Sequence, residues 1–149
     1  MFAPALRLAK GKVTSETMRV ALEALVERAA QFDAAEEAFP ADIARHKALR
    51  GEAPSKLNKR TQAMLEDLAG DQVGIQAGVM AAFEQESRAE SIVWSLSFAL
   101  RNDLQNAEGL LKHYPEVDRP LGVQQLDRKR ELLSALDAFL VEFPVDGAA

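Results

Sequence analysis

Large apolar residues recur along this chain at steps of three and four with polar residues between them, and no stretch alternates with period two. Such spacing lays apolar side chains along one stripe of an α-helix, whereas alternation marks a strand. Thr14 or Ser15 is placed to cap a first helix, with Glu16 facing the positive end of its dipole. Met18, Leu22, Leu25, Ala29, Phe32 and Phe39 then form one stripe, interrupted at Glu36 and stopped at Pro40. Residues 40–54 contain Pro40, Gly51 and Pro54 but only Ile43 and Leu49 as large apolar groups, which predicts a connector with room for one short helix.

After Ser55 the rhythm resumes through Leu57, Thr61, Met64, Leu68, Ile75, Val79 and Ala82. A continuous helix to about Glu86 would be roughly 46 Å long. Residues 84–90 carry no large apolar side chain, and Ser87 with Glu90 matches a capping box, so a turn is expected there. A helix running straight through is the other reading of the same residues. Val93, Leu96, Leu100, Leu104, Ala107 and Leu111 mark the next helix, which stops at Tyr114-Pro115, and Leu126, Leu133, Leu136, Leu140 and Phe143 mark the last, which stops at Pro144. The expected architecture is all-α, an up-and-down four-helix bundle. The 149 residues suit a single domain, with an N-terminal arm over 1–12 and a tail over 144–149.

A second face complicates this picture. Gly70, Gly74 and Gly78 follow one another at steps of four, on the side of their helix away from the Leu57 to Ala82 stripe. Each forgoes about 1 kcal/mol of helix propensity relative to Ala, a cost that makes sense where something packs close. Val73, Ala77 and Met80 flank that line. The following helix repeats the pattern, with Ser87, Ser91, Ser95 and Ala99 at steps of four beside Trp94 and Phe98. A hairpin joined near residue 87 brings both faces together and makes one end of the bundle apolar nearly all round. Two readings follow. The arm, with Phe2, Leu6 and Leu8, or the 40–54 connector folds over this end and completes the core. Alternatively, Val73, Gly74, Ala77, Gly78, Met80, Trp94 and Phe98 form an interface with a protein partner, most simply a second copy in a two-fold dimer. Small-residue lines also join membrane helices, but there the surrounding residues are apolar and here they are not.

Composition narrows the chemistry. The formal net charge is −5, yet Arg45, Lys47, Arg50, Lys56, Lys59 and Arg60 stand together against one acid, Glu52. Such a run is either a solvated surface or a phosphate-binding segment; having no interleaved aromatic residue, it would hold a nucleic-acid backbone without reading bases. Cysteine is absent, which excludes disulfides, thiolate metal sites and a cysteine nucleophile and fits a reducing compartment. The start of the chain is too short in apolar residues, broken by Arg7 and Lys10, for a signal segment, and no window is apolar enough to span a membrane, so a cytoplasmic location is expected.

His46 and His113 lack the carboxylate three residues earlier that marks di-iron bundles, and Glu84, Glu86 and Glu90 fall in a polar turn with no apolar wall to raise a pKa. There is no phosphate-binding glycine loop and no nucleophile elbow. The sequence therefore predicts neither catalytic residue, metal nor cofactor. It predicts a non-enzymatic interaction or assembly protein, an adaptor that self-associates or docks a protein through the 73–100 region. The alternative is an accessory subunit that holds nucleic-acid phosphates through the 45–60 segment.

Overall fold

The structure, a computed structural model, describes residues 1–51 and 77–145. Those residues are all-helical: α1 (Phe2–Lys10), α2 (Glu16–Leu49), a helical segment α3 over residues 77–85, α4 (Ala89–Leu111) and α5 (Arg119–Glu142). Packing runs in a ring, α1 against α2, α2 against α5, α5 against α4 and α4 against α1. The expected arm is thus a helix that supplies one side of the bundle.

Composition explains why α1 sits inside. Phe2, Ala3, Ala5, Leu6 and Ala9 are all buried, and the three alanines let neighbouring backbones approach closely. The first amides of a helix have no intrahelical acceptor. Here the Asp33 carboxylate of α2 supplies one, accepting from the Phe2 N–H at 3.2 Å and the Ala3 N–H at 2.9 Å, while the Met1 ammonium lies 3.1 Å away. An acid at the positive end of the helix is favoured by the dipole as well. Phe2 then meets the Phe32 ring edge-on, at 5.5 Å between centroids.

In α2 the expected cap forms. Ser15 is extended and its Oγ accepts from the Met18 N–H at 3.4 Å, and Leu22, Leu25, Ala29 and Phe32 are buried as the stripe predicted. The expected stop at Pro40 does not. The helix passes through Pro40 and runs on to Leu49, so residues 40–49 are helix and not connector. Proline removes one ladder donor and crowds the carbonyl four residues earlier, a local cost that tertiary contacts can override. The helix ends instead just before Gly51, whose φ of +74° lies in the left-handed region and whose N–H bonds back to the Ala48 carbonyl at 3.0 Å.

The turn expected near Ser87 is present: residues 86–88 separate α3 from α4. Its capping box is not. The N-cap of α4 is Arg88, and Glu86 accepts from the Arg88 N–H at 3.1 Å, which leaves Ser87 outside the helix.

Ile92, Val93, Leu96 and Leu100 of α4 share one core with Leu132, Leu136 and Phe139 of α5 and the buried residues of α1 and α2, and Leu104 and Leu126 are buried as well. The buried α5 face includes Lys129, which apolar spacing did not reveal. Its ammonium is 2.5 Å from Asp103 and 3.2 Å from Glu36, and 5.7 Å from the Phe32 ring centroid. Glu36, the polar break in the α2 stripe, is where this buried lysine lands. At the α5 start, Pro120 sits in the first turn, and Gly122 leaves room for a close approach. A Cβ there would meet Leu111 at 2.6 Å and the Tyr114 ring at 3.0 Å.

Candidate interaction site

The inner face of α4 is fixed by its apolar residues and by one polar anchor. The Ser97 hydroxyl donates to Asp137 of α5 at 2.5 Å, and Arg101 reaches the same carboxylate at 2.7 Å. With that face committed, Trp94 and Phe98, one turn apart, point outward. Each is 53% exposed, and their rings stack on one another at 5.6 Å with 14° between planes. Ser95 donates to the Ser91 carbonyl at 3.0 Å, so its hydroxyl is turned back onto its own helix. Glu90 precedes the aromatic pair on this face and Arg101 follows it.

The other residues expected in the interface divide. Ala77 and Gly78 are exposed, and a Cβ on Gly78 would meet nothing within 4 Å. Val79 beside them is 37% exposed. Met80 belongs elsewhere: with Phe83 it packs on the hydrophobic core. Val73 and Gly74 lie outside the described residues. The alternative, the arm or the 40–54 connector folding over this end to complete the core, is met only in part: α1 packs into the core, while Trp94 and Phe98 stay exposed.

The basic run is partly occupied within the fold. Arg45 pairs with Asp42 at 3.5 Å. Arg50 donates to both oxygens of Asp118, at 2.5 and 3.3 Å, and His46 Nδ1 is 2.8 Å from one of them. Lys47 lines a cavity of about 460 Å³ with Phe39, Ile43 and Tyr114, between the end of α2 and the turn before α5. Lys56, Lys59 and Arg60 lie outside the described residues. Asp118 is buried, and Arg50 first, then His46, hold its carboxyl down at about 2. This cluster ties the part of α2 beyond Pro40 to the start of α5. No sequence signal pointed to it, because its partners are about 70 residues apart, 72 and 68.

Among the described residues, no group of three or more His, Asp or Glu side chains is placed to hold a metal ion, and no helix is long and apolar enough to cross a membrane. Compared with protein-family models, curated proteins and solved structures, the chain matches none.

Proposed function

We propose that this chain is a non-enzymatic assembly protein that self-associates through the outer face of α4, a small adaptor of a reducing compartment such as the cytoplasm. The observation that carries this reading is the stacked Trp94–Phe98 pair, half-exposed on a helix whose opposite face is fully committed to the core. Exposed aromatic anchors with small neighbours are the usual make-up of an interface centre. A second copy fits the pattern best. An antiparallel, two-fold crossing of α4 on α4 centred between residues 94 and 98 lays Trp94 of one copy on Phe98 of the other. It also brings Glu90 at one end of the strip toward Arg101 of the second copy, which Asp137 of its own chain already holds at 2.7 Å, so both rims carry both signs of charge.

Sedimentation of the full chain across a wide concentration range tests this. The wild type is expected to dimerise, and Trp94→Ala to weaken the dimer by on the order of 2 kcal/mol or more while the thermal midpoint of the dilute, monomeric protein barely moves. A wild type that stays monomeric at millimolar concentration would sink the proposal. So would a Trp94→Ala variant that dimerises as well as the parent.

A further inference from the structure

A different surface carries a binding site that the aromatic face does not involve. Gln31 and Phe32 of α2 stand one turn beyond Arg28, and Glu131 and Leu132 of α5 one turn beyond Arg128, and together these six line a cavity of about 150 Å³ between the two helices. Phe32 and Leu132 are buried, so the floor is apolar. Arg28, Gln31 and Glu131 are exposed on the rim, and Arg128 is half-buried.

The two arginines differ from others along these helices. Arg19 and Arg45 of α2 and Arg130 of α5 each have a carboxylate partner. The ion pairs and hydrogen bonds of the described residues include neither Arg28 nor Arg128, and the Arg128 Nε is shut away from solvent with no acceptor. Two cationic side chains lining one cavity disfavour each other. One oxyanion bound between them would relieve that cost.

We propose that Arg28 and Arg128 form a binding site for the phosphate group of a small phosphate ester. Guanidinium offers paired donors that match two phosphate oxygens. The cavity volume corresponds to roughly five waters at the ~30 Å³ each takes up in the liquid, room for one tetrahedral oxyanion but not for the body of an ester. The body has a place to go. A second cavity of about 630 Å³ shares Arg28 and Glu131 with the first; Ala21, Ala24, Ala135 and Phe139 give it an apolar wall and Arg130, Ser134 and Glu142 a polar edge, which suits an ester whose organic part has an apolar face. Glu131 on the shared rim opposes the anion and sets a ceiling on affinity.

Titrating inorganic phosphate, then phenyl phosphate, into the full chain at low ionic strength, followed residue by residue in amide NMR spectra, tests the site. Saturable shifts are expected at residues 28–32 and 128–132, with the ester binding more tightly than phosphate. Arg28→Gln, an exposed change that leaves the fold intact, is expected to weaken binding roughly tenfold or more, and Arg128→Gln at least as much. Arg128→Lys retains the charge without the paired donors and fails to restore it. Glu131→Gln tightens binding. Shifts no larger than those from chloride at matched ionic strength overturn the proposal, and so does an Arg28→Gln protein that binds phosphate like the wild type.

Discussion

Asp118 keeps its charge at acidities that neutralise ordinary carboxylates, because Arg50 donates to both its oxygens and His46 approaches one of them. Its folded pKa of about 2 lies below the 3.8 expected of an unhindered aspartate. Folding with a depressed carboxyl contributes stability that is complete above the unfolded value and is lost as pH falls through the folded one. Asp118→Asn is therefore expected to melt earlier than the wild type above pH 4, with the gap closing as pH falls from about 4 toward 2. A gap that stays constant across that window, measured by thermal melts, would detach the effect from Asp118 ionisation. Residues such as this mark the boundary of what sequence discloses. Trp94 and Phe98 were legible because they are four apart on one helix, and local spacing carries that information. The His46, Arg50 and Asp118 cluster was not legible, nor was Lys129 with Glu36 and Asp103, because each joins residues from distant helices and an ordinary polar letter does not show which partner it meets.

At the scale of the helix, apolar periodicity predicted which face of α2 and α4 is buried, and it failed where punctuation had to be weighed against tertiary contact. Ser15 and Ser87 look alike as caps in the sequence, yet only Ser15 accepts from its helix, since Glu86 takes the backbone N–H at the start of α4. Pro40 was read as a stop because its ring and missing donor disfavour a helix interior. The helix continues because residues beyond it are held: Arg50 and His46 reach Asp118, and Ile43 lines the cavity beside Tyr114. If those contacts override an unfavourable proline, Pro40→Ala should restore the lost donor and relieve the crowding. It is expected to raise stability by up to about 3 kcal/mol in denaturant melts, with Asp118 still protected. A destabilised Pro40→Ala protein would mean that the bend proline imposes is needed to aim the last turns of α2 at Asp118.

Over the whole molecule, the largest departure from expectation is the role of the first ten residues. Phe2, Leu6 and the alanines around them carry too few apolar positions to announce a long helix, so the segment read as an arm. In the fold it closes the ring between α2 and α4, and Asp33 caps it from a neighbouring helix. Burying a large apolar side chain contributes roughly 1.5 to 3 kcal/mol, so losing Phe2 and Leu6 alone removes several kcal/mol from a domain whose total stability is on the order of 5 to 15. The loss goes further, because the faces of Leu22, Ile92 and Val93 that α1 helps to cover would meet water. Deleting residues 2–10 is therefore expected to abolish the cooperative thermal transition while leaving much of the helical circular dichroism, and to raise binding of an apolar dye. Asp33→Ala, which removes only the cap and the Met1 pair, should instead lower stability by roughly 1 to 2 kcal/mol and leave the transition cooperative. A deletion protein that still melts sharply near the wild-type midpoint would show that the bundle closes without α1. In that case Ile92 and Val93 must find another cover, and the outer face of α4, with Trp94 on it, is the surface whose exposure would then change.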